Sequence, residues 1–405
     1  MVDVIFQGID APLRLQGADD VLPLLPKVAV GWRFDCRAAD PTAAPFFSIR
    51  AVPDDGRLAC QSHVEAKPLR LLDPVNALCD AMAALALALP AQDDRLICLH
   101  AAGVAMAGRL VVFPSVRRAG KSTLSVALAQ AGHALYADDV LPLSFSVTHR
   151  LRGHAMGIAP RLRLPLPQTL PDDFRSWVAG VDGPRNRQYK YLALSRQPLH
   201  GLSLPVGAFV ILDRQDDPVA AHLSPIPADV AMDALLYQNF TRDRHSADIL
   251  LAIAKSLSAL PVFRLAYADL ADAVTCLETT FASWPDSNPD DPAVLARRFR
   301  PADFNDRPHG HLRPDSALQQ RPGTAAQMIG DTLYLADADG RAIHRLDPLA
   351  AVIWEVLQDP ATAQDLEAML CTAFPDTAHA QIAIDLRQML ERLVKAGLIE
   401  TGLSD

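Results

Sequence analysis

A β-branched run, Leu110-Val111-Val112-Phe113, is followed by a short loop, then Gly120-Lys121-Ser122-Thr123, then the apolar Leu124-Ser125-Val126-Ala127-Leu128-Ala129. This reads as strand, loop and helix in immediate succession, and it restricts the surrounding region to an α/β arrangement with a helix starting at the end of a strand. Such a turn presents backbone N–H groups to an anion, and the helix dipole favours negative charge there. In a Walker A loop the lysine, here Lys121, reaches the outer phosphates and the following hydroxyl, Ser122, ligates Mg²⁺. The position of the first loop glycine is held by Ser115, so only half of the glycine signal is present. The segment expected to contact a nucleotide is Ser115, Arg117, Arg118, Ala119, Gly120, Lys121, Ser122 and Thr123. A plain helix start is the other reading of Gly-Lys-Ser-Thr alone.

Leu124, Ala127, Leu128 and Ala131 share one helical face, and Gly132 supplies a stop. Then Ala134-Leu135-Tyr136-Ala137 runs into Asp138-Asp139, one helix downstream of the lysine. In open α/β sheets ligands gather at the carboxyl ends of strands, so the loop and both aspartates are expected to converge. A solvated Asp-Asp turn is the alternative.

The strings His100-Ala101-Ala102-Gly103-Val104, Gly120-Lys121-Ser122-Thr123 and Ala131-Gly132-His133-Ala134-Leu135-Tyr136-Ala137-Asp138-Asp139 resemble the catalytic core of HPr kinase/phosphorylase. Arg152-Gly153 with Gly157-Ile158 is similar to the next, weaker motif of that family. The likeness is closer still to the HPr-kinase-related peptide kinases of ribosomally made peptide pathways, whose fold is related to phosphoenolpyruvate carboxykinase, and it covers about residues 95 to 280. It implies a P-loop-containing α/β domain that uses ATP and Mg²⁺. Residue by residue it implies Lys121 on the phosphates, Ser122 on Mg²⁺, Asp138 as base toward an acceptor hydroxyl, Asp139 as metal ligand or its support, and His100 close to the phosphoryl centre. Phosphoryl transfer needs mostly positioning, charge neutralisation and a carboxylate for the hydroxyl proton, which is the chemistry these side chains offer. For His100, a buried histidine ending a strand is the competing reading.

The chain departs from the family at Ser115 and Arg118, where glycines are usual, at Thr123, where HPr kinases carry an acid, and near Arg150. Farther on, Gly183-Pro184-Arg185-Asn186-Arg187-Gln188-Tyr189-Lys190 is a basic loop that either closes over phosphates or an acidic peptide or is simply exposed.

After a Pro-, Asp- and Asn-rich connector the pattern changes. Ala325 to Ile329, Thr332 to Ala336 and Arg341 to Leu346 read as three strands split by the hairpin turns Gly330-Asp331 and Asp339-Gly340. Helices are expected at Pro348 to Leu357, Ala363 to Phe374 and Ile382 to Ala396, the last with an apolar face of Ile382, Leu386, Met389, Leu390 and Leu393.

Asp339-Gly340-Arg341, Ala350-Ala351-Val352-Ile353-Trp354 and Leu393-Val394-Lys395-Ala396-Gly397-Leu398-Ile399 resemble the PqqD family of peptide chaperones, over about residues 312 to 401. There a leader peptide adds to the third strand and packs on the third helix. This implies a peptide site of Arg341, Ala342, Ile343, His344, Arg345 and Leu346 with Leu386, Leu390 and Leu393, by edge-strand augmentation. The competing reading is a winged-helix-like module that binds nothing, its leucines simply core.

The expected layout is an α+β scaffold over 1–92, an HPr-kinase-like nucleotide-binding domain over 93–284, a linker over 285–311 and a winged-helix-like PqqD domain over 312–405. A chain of 405 residues, 50% hydrophobic, has core enough for it. Within the first region Val75 to Leu89 reads as an Ala/Leu-rich helix too short to cross a bilayer, and no secretory signal is visible. The six cysteines, at 36, 60, 79, 98, 276 and 371, are scattered without metal spacing, as in reduced cytoplasmic proteins. His309-Gly310-His311 lacks partner ligands for a metal. A formal net charge of −9 argues against nonspecific nucleic-acid binding. The resemblance leaves a homo-oligomer open.

The sequence thus points to an ATP-dependent kinase acting on a Ser or Thr hydroxyl of a precursor peptide captured by the C-terminal unit. A nucleotide-binding peptide adaptor that has lost transfer is the alternative, and a small-molecule kinase a third.

Overall fold

Val2–Phe6 buries Asp3, Val4 and Phe6 and leaves Val2 and Ile5 half-buried. It anchors a six-stranded sheet in the order Phe34–Ala38, Val2–Phe6, Leu13–Gln16, Phe47–Ala51, Leu58–Ser62 and Arg70–Leu72. Asp3, which lies inward, is matched by Arg14 through two bonds of 2.8 Å, and this pairing holds its carboxyl below the usual range. Pro74–Gln92 follows as a helix, with Asp73 accepting from the N–H groups of Val75 (2.9 Å) and Asn76 (3.1 Å) and Pro74 at the first position. At 19 residues, with an 18-residue window of mean hydropathy 1.5, it is long and apolar enough to span a bilayer, which corrects the expectation of too short a run. In this fold 67% of that window is buried against protein.

The computed structural model describes all residues except 54, 117, 118, 147–149, 242, 286–296, 305–311, 313–315 and 402–405. It is a mixed α/β protein with several sheets. Two units are resolved, the first comprising Met1–Ile226, Asp233–Thr241 and Ser256–Arg298, the second Pro227–Met232, Arg242–Lys255 and Phe299–Asp405.

The second sheet of the first unit has nine strands arranged around the long Ser203–Arg214. Its first residues pair antiparallel with Leu151–His154, while its apolar second half runs parallel to both Arg109–Phe113 and Val262–Tyr267. Ala102–Met106 and Leu135–Ala137 continue the sheet beyond Arg109–Phe113, and Leu141–Phe145 and Leu96–Leu99 continue it beyond Leu151–His154. Gly153 permits the close packing within this sheet, since a Cβ there would lie 2.5 Å from Leu110 Cδ1. The helix Lys121–Gln130 buries Leu124, Val126 and Leu128 against a core that includes Val111, Phe113, Ala208 and Leu265.

In the second unit Ala325–Ile329, Thr332–Ala336 and Ile343–Arg345 form a three-stranded antiparallel sheet, with Gly330 and Gly340 at positive φ in the turns. The third strand is shorter than the expected Arg341 to Leu346. The Asp337 carboxylate accepts the N–H groups of Arg341 (3.0 Å) and Ala342 (2.5 Å), bending that stretch into a turn. Three helices follow, Pro348–Val356, Ala363–Ala373 and His379–Lys395. The third starts ahead of the expected Ile382, because its first turn is exposed and carries no apolar period. Leu318–Gln320 and Ile399–Thr401 pair as a further two-stranded sheet.

Candidate functional site

Gly120 sits at φ +95, the left-handed conformation that lets the loop turn into the helix, and no side chain caps that helix start. A Cβ on Gly120 would also come 2.8 Å from the Tyr267 hydroxyl, at the end of a neighbouring strand. Lys121 is buried, and its ammonium donates to the carbonyls of Ser115 and Val116 (3.2 Å for the latter). It is therefore held inside the loop it belongs to. Ser115 is buried too, and its Oγ accepts the Leu212 N–H at 2.9 Å. Its side chain is tied to the adjacent strand and not to the loop cavity. Ala119 packs against the core, while Arg117 and Arg118 lie outside the described residues.

The Leu135–Ala137 strand delivers Asp138 and Asp139 beside this loop. The Ser122 hydroxyl stands near the Asp138 carboxylate, and Asp138 Oδ2 accepts the Arg161 N–H at 2.9 Å. Asp138 keeps part of its surface open, yet burial, then repulsion from Asp139, push it up to about 7. Asp139 points outward to His100, with Nε2 3.3 Å from Oδ1. Strand pairing explains this meeting, because Leu141 lies opposite Leu99 and so sets His100 beside the residues preceding Leu141. The His100 N–H is taken by the Gln238 carbonyl at 2.8 Å. Ser122 and Asp138 are thus brought together, with His100 and Asp139 on the flank and Thr123 half-buried in the helix's first turn, while the Lys121 ammonium is turned to the loop carbonyls.

No cluster of three or more His, Cys, Asp or Glu suited to a metal occurs among the described residues. A hydroxyl and a carboxylate fit Mg²⁺ only as an ion that keeps waters and phosphate oxygens as its other ligands.

Arg161 is the residue that sequence reading missed. It belongs to a two-stranded ribbon, Arg161–Arg163 with Tyr189–Tyr191, and its guanidinium lies 4.7 Å from the Tyr189 ring centre. The alternation Arg-x-Arg against Tyr-x-Tyr was the available signal. Within the basic loop, Lys190 is buried and donates to the carbonyls of Val178 (2.7 Å) and Ala179 (2.8 Å), closing the end of the helix Asp172–Gly180. Asn186 donates to Asp73 at 3.0 and 3.1 Å, so this loop is fastened to the start of the Pro74–Gln92 helix.

At the C-terminal sheet, Ile343–Arg345 pairs with Thr332–Ala336 on one side, and with no other strand among the described residues. Ile343 and His344 are half-buried, and His344 Nε2 is enclosed without a hydrogen-bond partner. Arg345 is exposed and lies 3.5 Å from Asp229, while Arg341 donates to the Asp303 carbonyl at 2.5 Å. Leu346, Leu386, Leu390 and Leu393 are packed inside the core with Ile353, Trp354 and Leu366.

Residues 333–399 match a known family, described as Coenzyme PQQ synthesis protein D (PqqD). The match characterises the C-terminal domain alone. That PqqD-like domain holds the third strand and the third helix just described. No curated protein sequence matches the chain. Among solved structures, the HPr(Ser) kinase/phosphatase from Coxiella burnetii aligns over 45% of this chain and 95% of its own, at 14% identity and a TM-score of 0.23. A score that low carries no inference about fold or activity.

Proposed function

We propose that this protein is an ATP-dependent kinase for a Ser or Thr hydroxyl of a ribosomally synthesised precursor peptide, whose leader the PqqD-like domain captures. The observation that carries the reading is the position of Asp138 beside Ser122, in the first turn of the helix that Lys121 opens. Mg²⁺·ATP, when bound, supplies the γ-phosphoryl group. Lys121 and the first-turn N–H groups neutralise phosphate charge. Asp138, placed near neutrality, takes the proton of the attacking hydroxyl. Ser122 and Asp139 are the candidate magnesium ligands, and His100 orients Asp139.

The edge of Ile343–Arg345 that pairs with no strand among the described residues supports leader capture by strand addition, in which backbone bonds give affinity. A captured leader raises the local concentration of a weakly held acceptor. The test is competition: excess free leader should suppress phosphorylation of full-length precursor at low substrate and leave a leaderless core peptide unaffected. Equal inhibition of both, or of neither, contradicts leader capture.

A second reading rests on the loop itself, where Ser115 is committed to Leu212 and the first glycine is absent. It is a nucleotide-binding peptide adaptor. Mg²⁺·ATP binding with no phosphopeptide product would favour it.

A further inference from the structure

The ribbon of Arg161–Arg163 and Tyr189–Tyr191 carries a pattern that neither nucleotide binding nor leader capture uses. Its register sets Arg161 opposite Tyr191 and Arg163 opposite Tyr189. Residues opposite one another in an antiparallel pair share a face, as do residues two apart along a strand, so both arginines and both tyrosines line one side. The contacts agree: Arg161 lies 4.7 Å from the Tyr189 ring centre and 6.0 Å from that of Tyr191, and Arg163 lies 5.9 Å from Tyr189.

This face runs from the interior to the surface. Tyr191 is buried and donates its hydroxyl to Cys79 Sγ at 3.4 Å. Arg161 and Tyr189 are half-buried, and Arg163 is exposed. The inner end is the Arg161 backbone N–H on Asp138, so the face begins at the carboxylate assigned above as base. Arg185 and Arg187 are exposed in the loop leading into the second strand. Asp182, the acid on that approach, is taken by Lys27 at 2.9 Å.

Packing accounts for Arg161, which is clamped between rings. It does not account for Arg163, Arg185 and Arg187, whose charged ends face water beside an acidic site in a chain of net charge −9. A guanidinium stacked on a ring keeps its N–H edges free to fork onto a carboxylate.

We propose that this Arg–Tyr face receives the acceptor segment of the peptide substrate and selects a hydroxyl residue flanked by acidic side chains. The identity of the occupant rests on the kinase reading. A carboxylate held by Arg163 sets a neighbouring hydroxyl toward Asp138, one strand-residue pair farther in.

The test is fluorescence anisotropy of the full-length protein with two labelled synthetic peptides, one with serine between aspartates and one with lysines in their place. The aspartate peptide should bind about tenfold tighter, and Arg163→Glu should weaken it about fivefold and strengthen the lysine peptide, whereas Arg163→Lys, which keeps the charge and loses the fork, weakens it by about twofold. Equal binding of the two peptides, or no response to Arg163→Glu, overturns the proposal. The assay reads binding without transfer. A protein that shows this pattern but phosphorylates nothing therefore keeps the surface and sinks the kinase reading, and transfer without the pattern does the reverse.

Discussion

Ser115 Oγ accepts the Leu212 N–H at 2.9 Å, so the loop that leads into the Lys121–Gln130 helix is tied to the long central strand. Both groups are buried. Ser115→Ala leaves a buried N–H without its acceptor and should destabilise the protein by about 1–3 kcal/mol. Thermal unfolding checks this, and an unchanged Tm would show that the bond contributes nothing.

Gly120 answers to two constraints at once, a φ of +95 and the Tyr267 hydroxyl 2.8 Å from where a Cβ would stand. Gly120→Ala should therefore abolish Mg²⁺·ATP binding in calorimetry. Adding Tyr267→Phe removes the oxygen but not the backbone strain, so the double variant should regain little. Full recovery would mean that crowding alone, and not the loop's conformation, matters.

Lys190 closes a helix with its ammonium, and burial draws that group below the ordinary lysine range. Lys190→Met strands two carbonyls at a helix end and is expected to lower stability by about 1–3 kcal/mol. Affinity of the folded variant for ATP should stay at the wild-type level. A large loss of ATP affinity at unchanged Tm would return Lys190 to the phosphates.

His200 stacks on Trp32 with ring centres 3.5 Å apart, and burial pulls it down to about 4. Its folded value lies below the ordinary histidine value of 6.5, so the unfolded chain binds the extra proton between the two. The stabilisation is complete above about pH 6.5 and is lost as pH falls toward 4, by about 3 kcal/mol at most. Denaturant unfolding of wild type and His200→Phe across that window checks the sign. Identical pH dependence in the two would remove His200 from the account.

Much of this was legible because it is local. The hairpin Ala325–Ile329 and Thr332–Ala336 follows from alternation and a Gly-Asp turn, and the Lys121–Gln130 helix from its apolar face and Gly132. What escaped depends on partners distant in sequence. Nothing near Arg161 announces Asp138, since a backbone N–H has no residue type, and nothing in the basic run 183–190 singles out Lys190 as the residue that closes the Asp172–Gly180 helix. The third strand's late start at Ile343 depends on where the Asp337 carboxylate points, which alternation does not encode. Leu386, Leu390 and Leu393 show the opposite limit. Helical spacing puts them on one face, but the same spacing serves a core and a peptide groove equally.

The most direct measurement is the intact mass of candidate precursor peptides after incubation with Mg²⁺·ATP and wild type, Lys121→Ala or Asp138→Asn. The account predicts a gain of one phosphate with wild type and none with either variant. No gain with wild type on a peptide shown to bind, or a gain that survives Asp138→Asn, would contradict it.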